Sequence, residues 1–137
     1  HGHGDHTGAL SEVCQATGAP ARINAADCHL LGSLERKVEG QLVDGDVISG
    51  GQQRCAVAAT PGHTAGGGSL VHDSVAIVGD ALFAGSLGGT RRLANYRAQK
   101  AAVGERLLLL AEHVILYPGH GPATTVGEER AHNPFFQ

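Results

Sequence analysis

The opening stretch HGHGDHTG places His1, His3, Asp5 and His6 within six residues and separates them with glycine. Imidazole and carboxylate are the groups that suit zinc, iron or manganese. On an extended segment, side chains two apart share a face, so His1 and His3 can approach one cation. Asp5 and His6 fall where the chain turns toward a first helix; they point elsewhere and can serve a second cation beside the first. Three further candidates recur in one local setting: His63 in TPGHT, Asp80 in IVGD and His120 in YPGHG. Each follows an apolar, strand-like run and lies in a glycine-flanked loop, so all three should emerge on one edge of a sheet. A lone PGH is an ordinary turn, and a lone VGD an ordinary strand end; the ordered set of four elements carries the reading. Five histidines and two aspartates make seven donors. That number fits two divalent cations with about four to five partners each, one carboxylate shared and a water between them. Zinc is the first choice, with iron and manganese also accommodated.

The elements that must position these donors alternate between helix and strand. LSEVCQAT predicts a helix over Leu10–Thr17, stopped by Gly18 and Pro20. A short strand is expected at 22–25 and a helical segment at 26–34. Asp44-Gly45-Asp46 between apolar runs predicts a hairpin turn. QRCAVAAT reads as a strand ending at Thr60, followed by a glycine-rich loop to Gly68. Ser69–Val71 and Val75–Val78 form the clearest hairpin, about His72-Asp73-Ser74. After a loop from Asp80 to Thr90, the strongest helix runs from Asn95, as N-cap, to Leu110. Val114–Leu116 is a buried strand leading to His120, and Thr125 caps a last helix with Glu128 three residues on. The pattern predicts a mixed α/β layered fold in one domain, 1–137.

Composition narrows the function classes. The chain has 137 residues, 42% apolar and 17% charged, with a net charge of −3. The acidic balance argues against a nucleic-acid or anionic-membrane surface, so the expected partner is a small-molecule substrate. Glycine numbers 21, about twice the average share of roughly 7%, and it clusters beside histidine and aspartate rather than periodically. Cys14, Cys28 and Cys55 are odd in number and form no C-x-x-C pair. They read as small core residues in a reducing, cytoplasmic setting. No Ser-His-Asp or Cys-His set competes with the metal reading. Arg91, Arg92, Arg97 and Lys100 could meet an anionic substrate, but a solvated helix face is the simpler account. Tyr96 and Tyr117 could donate to an oxyanion, with a core role as the default. His29, His72, His113 and His132 lack the glycine-loop setting and are taken as surface or structural.

H-x-H-x-D-H followed in order by His63, Asp80 and His120 resembles the metallo-β-lactamase fold superfamily. The resemblance implies that His1, His3 and His63 hold one metal, that Asp5, His6 and His120 hold a second, and that Asp80 bridges them. It implies an αββα sandwich. In the family several strands precede the H-x-H-x-D-H loop, whereas this chain begins on that loop and contains no methionine. The expectation is an N-terminally truncated fold that leaves an apolar sheet face uncovered. TPGHT, GDALFAGSLGGT, YPGHGPATTVGEER and the ending Asn133-Pro134-Phe135 are most similar to small glyoxalase II-like proteins. That likeness implies a hydrolase in which a metal-bridged hydroxide attacks a thioester or related ester, with Asp5 orienting the hydroxide. The same ligand set is compatible with a persulfide dioxygenase-like enzyme using one iron, or with a catalytically silent fragment.

Overall fold

A computed structural model describes all residues, 1–137. The first turn of helix, α1 (Gly4–Thr7), follows directly on His3, and α2 (Leu10–Thr17) ends at Gly18, whose φ of 66° supplies the left-handed cap. Both ends of α2 match the sequence expectation. Strand β1 (Ala21–Ile23) is followed by a 3₁₀ segment (Ala25–Lys37), which Asn24 caps by accepting from the Ala26 N–H at 3.0 Å. Strand β2 (Val38–Gln41) then pairs parallel to β1 in a small two-stranded sheet.

The Asp44-Gly45-Asp46 turn is not the hairpin its composition predicts. It hands the chain from the small sheet to the large one. Asp46 accepts from the Val43 N–H and Asp44 from the Ala59 N–H, so both carboxylates hold local or neighbouring backbone instead of closing a two-strand ladder. The true hairpin lies one strand later. Strands β3 (Val47–Gly50) and β4 (Gln53–Ala59) are antiparallel, and Gly50 faces Gln53 across a two-residue turn.

Strands β5 (Gly68–Val71) and β6 (Val75–Gly79) form the expected hairpin, with Leu70 opposite Ile77 and Val71 opposite Ala76. A second small hairpin, β7 (Leu82–Phe83) with β8 (Ser86–Leu87), sits inside the stretch expected to be loop. Helix α3 (Leu93–Ala102) begins two residues before Asn95. Its N-cap is Arg92, which makes no side-chain capping bond, so the Asn95 cap is corrected. The helix then widens into a π turn at Val103–Leu107, where the Leu108 N–H donates to the Val103 carbonyl at 2.9 Å. The wider turn directs both fully buried residues, Val103 and Leu107, into the core. Strands β9 (Ile115–Pro118) and β10 (Thr124–Thr125) precede α4 (Val126–His132). Thr125 accepts from the Glu128 N–H at 3.1 Å, as its spacing predicts.

The large sheet has the order β10-β9-β6-β5-β4-β3, with β6 and β9 parallel and every other pair antiparallel. One face carries Ala76, Val78 and Leu116 and packs on Val103, Leu107, Leu108 and Val126, which together form the hydrophobic core. Side chains alternate along a strand, so Leu70, Ile77 and Tyr117, which are paired in register, point to the other face. Ile77 there is 55% exposed and Tyr117 46%. This is the expected uncovered apolar face. The small sheet approaches one end of it, leaving a groove of about 310 Å³ between Ile23, Leu42, Val57, Leu70 and Ile77. No helix is long and apolar enough to cross a membrane.

Candidate metal centre

The sheet topology delivers three of the candidate donors. Strand β4 is antiparallel to β5, β5 to β6, and β6 is parallel to β9. Hence β4, β6 and β9 run in one direction and end at one edge. His63 lies four residues past β4, Asp80 one past β6 and His120 two past β9. Gly119 is required at that edge: a Cβ there would collide with the Asp80 carboxylate and the His6 ring. The N-terminal segment supplies the rest, with His3 extended at φ −67°, ψ 149° before α1 begins.

All seven donors converge. His1, His3 and His63 form one trio whose donor atoms lie within 4.8 Å of one another, and Asp5, His6 and His120 form another. Asp80 stands between them. Its Oδ2 lies 3.4 Å from His63 Nε2, 3.9 Å from His1 Nε2 and 3.7 Å from His120 Nε2, while its Oδ1 lies 3.3 Å from His6 Nε2. Within the trios, His63 Nε2 is 3.0 Å from His3 Nδ1, and Asp5 Oδ2 is 3.1 Å from His120 Nε2 and 3.5 Å from His6 Nε2. Two donors bound to one tetrahedral zinc ion at about 2.0–2.1 Å stand roughly 3.4 Å apart. The observed separations bracket that value.

Polar bookkeeping points to the same conclusion. His1 Nε2, His6 Nε2 and Asp80 Oδ1 are buried and have no hydrogen-bond partner. Buried polar atoms are rarely left so, and these three all face the shared centre. Cations at that centre would satisfy all three. His63 adds a second sign. Its Nδ1–H donates to the Gly89 carbonyl at 2.7 Å, and a carbonyl can only accept. In the neutral ring this leaves Nε2 as the acceptor nitrogen, 3.0 Å from His3 Nδ1, which is how outer partners set the tautomer of a ligating histidine. The residues present therefore fit a divalent cation.

The two trios differ in environment. The His1 side chain is 5% exposed and that of Asp80 7%, whereas Asp5 and His120 are 57% and 56% exposed. The Asp5 carboxyl is held below the usual carboxylate range, chiefly by a hydrogen bond from its own backbone N–H and then by the neighbouring His6 and His120.

The other residues singled out in the sequence stay away from the centre. Arg91, Arg92 and Arg97 are exposed, and the Lys100 ammonium lies 5.9 Å from the Phe136 ring centroid. Tyr96 packs near Phe135, and Tyr117 lies on the open sheet face instead of in the core. His29, His113 and His132 are exposed and His72 half-buried. Cys14, Cys28 and Cys55 are free and only half-buried, which revises their expected core placement.

Two supporting residues escaped the sequence reading. Gln99 is fully buried on α3, and its amide NH₂ faces the carbonyls of Asp80, Ala81 and Gly88 at 3.3, 2.9 and 3.0 Å. It ties the backbone of Asp80 to the loop that holds Gly89. Asp27 is likewise fully buried and binds backbone N–H groups of two donor-bearing loops. Nothing in a helical glutamine or in the run NAADCHL marks either role.

Comparison with known proteins gives a consistent picture. A family profile described as the metallo-beta-lactamase superfamily matches residues 1–127. A probable metallo-hydrolase of Bacillus subtilis, YqgX, is 35% identical over 98% of this chain and 72% of its own length. The hydroxyacylglutathione hydrolase GloC of Haemophilus influenzae is 31% identical, again over 98% and 72%. Among solved structures, TTHA1623 in a di-iron-bound form superposes with a TM-score of 0.80 at 30% identity, covering 98% of this chain and 74% of that one.

Proposed function

Because the chain belongs to the metallo-beta-lactamase superfamily, we propose that it is a metal-dependent hydrolase that cleaves a thioester or related ester at a centre of two divalent cations, zinc by preference. The observation that carries this reading is the convergence of seven donors, three of which each hold a buried polar atom with no hydrogen-bond partner. The likeness to a relative named for an acyl-glutathione supports a thioester. The likeness to a protein solved with two irons supports the count of two.

His1, His3 and His63 would hold one cation, Asp5, His6 and His120 the other, and Asp80 would touch both. When bound, such cations supply Lewis acidity, lowering the pKa of water to about 7 and polarising a carbonyl oxygen. The chain's own residues then position the reactants. Asp5, whose carboxyl is held below the usual carboxylate range, presents an exposed carboxylate that can orient the attacking oxygen. The exposed side of the Asp5–His120 pair is where substrate enters. Water oxygen bonds to the carbonyl carbon, the C–S or C–O bond breaks, and the departing thiolate or alkoxide takes up a proton. His63, fixed by Gly89, and Asp80, fixed by Gln99, keep the donor array from collapsing between turnovers.

The test is elemental analysis of the purified protein with hydrolysis assays on S-lactoylglutathione and simple thioesters. About two equivalents of metal and metal-dependent thioester cleavage are expected. Folded protein that takes up no divalent metal would defeat the proposal. The unequal burial of the two trios favours one alternative, a single-iron, persulfide dioxygenase-like enzyme. One equivalent of iron with oxygen consumption on a persulfide would select it.

A further inference from the structure

Asp27 sits in the 3₁₀ segment with no exposed surface, yet it enters none of the structure's ion pairs. A buried carboxylate is costly unless its oxygens are satisfied. Here they are met by two backbone donors from separate loops. Oδ2 accepts from the Gly2 N–H at 3.2 Å, and Oδ1 accepts from the Gly66 N–H at 2.7 Å. Gly2 lies between His1 and His3, and Gly66 lies three residues after His63. One carboxylate therefore bridges the two loops that carry all three imidazoles of the buried trio.

The packing around the bridge is closed from both sides. A Cβ at Gly66 would lie 2.8 Å from Asp27 Cγ, and a Cβ at Gly2 would lie 2.9 Å from the Asp27 carbonyl oxygen and 3.0 Å from Leu30 Cβ. Both glycines are thus required for the loops to reach the carboxylate. An apolar side chain at 27 would avoid the desolvation cost but leave the Gly2 and Gly66 N–H groups without this acceptor. A carboxylate answers that need: it holds two N–H groups at a fixed separation, and with them the histidines one residue and three residues away. The exposed trio has no counterpart of this clamp.

We propose that Asp27 is a positioning residue that sets the divalent-metal affinity of the His1–His3–His63 trio by clamping its two loops in register. This rests on the metal-centre part of the proposed function and not on the substrate. Outer groups that orient metal-binding side chains typically contribute about 10–100-fold in affinity.

The test is a zinc titration against a chromophoric chelator on the wild type, Asp27→Asn and Gly66→Ala, with metal-free thermal unfolding and the cobalt visible spectrum recorded for each. Asparagine keeps the shape but turns an NH₂ toward one of the two donors, so one arm opens. Gly66→Ala leaves the carboxylate in place and pushes on it from the other loop. Both variants should bind zinc about 10–100-fold more weakly at the tighter site, with an altered cobalt spectrum, at temperatures where the metal-free protein is folded. A residue that only stabilised the fold would lower the metal-free melting temperature and leave the affinity unchanged; that result in either folded variant overturns the proposal. Failure of both variants to fold, even in saturating zinc, would make Asp27 a folding residue and overturn it too. Wild type that binds zinc but cleaves no thioester would sink the proposed substrate and leave the clamp standing, whereas wild type that binds no metal would sink both.

Discussion

The two donor trios share one carboxylate but not one environment. His1, His3 and His63 are half-buried, and each of their loops is held by something further in: Gly89 takes the His63 Nδ1–H, and Asp27 takes the backbone N–H groups of Gly2 and Gly66. Asp5 and His120 lie at the rim, with His6 between them and the interior. His120's ring finds a hydrogen-bond partner only in Asp5, and His6 Nε2 finds none. Low dielectric strengthens attraction between a cation and its ligands, and outer hydrogen bonds remove the entropy of assembling them. On the proposed function, the inner trio would hold its cation the more tightly, and the rim trio would leave an open side for substrate and product.

The sharpest way to break this contrast is to remove what the trios share. Asp80→Ala should abolish both sites: metal content should fall below one equivalent, and kcat/KM should fall by about 10³-fold or more, the several kcal/mol expected of lost Lewis-acid stabilisation. Near-normal metal content would show that the trios are independent and that Asp80 bridges nothing. Single-trio variants come next. His63→Ala should lose the tighter ion, whereas His120→Ala should keep it and drop from two equivalents to one, with activity reduced by about 10–100-fold. Equal affinity losses in the two variants would erase the asymmetry.

A smaller effect is expected one layer out. Gln99→Leu leaves three buried carbonyls, those of Asp80, Ala81 and Gly88, without their shared donor. It should lower stability by about 2–4 kcal/mol, read by denaturant unfolding of the metal-free protein. Gly88→Ala probes the same joint from the other side, because a Cβ there would collide with the Asp80 carbonyl oxygen. If both variants unfold like wild type, α3 does not hold Asp80 in place.

What the amino-acid order revealed, and what it hid, follows from the range of the interactions. The candidate donors stood out because His63, Asp80 and His120 each follow a glycine in a loop after an apolar run, and because His1, His3, Asp5 and His6 crowd into six residues. The β5–β6 hairpin, the α2 boundaries and the Thr125 cap were legible from signals just as local. The Asp44-Gly45-Asp46 turn misled because its chemistry specifies a turn but not which strands flank it; β2 had a better partner in β1, far back along the chain. Asn95 misled because Leu93 and Ala94 extend α3 backward without any side-chain cap. Asp27 and Gln99 were invisible because their partners are backbone groups up to 39 positions away, and a backbone group leaves no residue-type signal.

The outermost support of the buried trio supplies the smallest expected effect and a test by pH. Asp44 accepts from the N–H of Ala59, the last residue of β4 before the loop to His63, and pairs with Arg106. These two contacts, the backbone bond first, hold its carboxyl below the ordinary value of 3.8. A carboxyl whose pKa is depressed by folding contributes stability above its unfolded value, about 3.9, and loses it as pH falls through the lower folded value. Wild type should therefore melt slightly above Asp44→Asn across pH 5–8, and the gap should close as the pH drops below about 4. Both partners are solvent-exposed, so salt should shrink the same gap. Metal stoichiometry should not change at any pH where the protein is folded, because three residues of loop separate Ala59 from His63 and the Asp27 clamp acts beyond that point. A loss of the tighter ion in Asp44→Asn would mean that the support of the buried trio reaches out to the surface, and the contrast between a held interior site and a loose rim site would have to be redrawn.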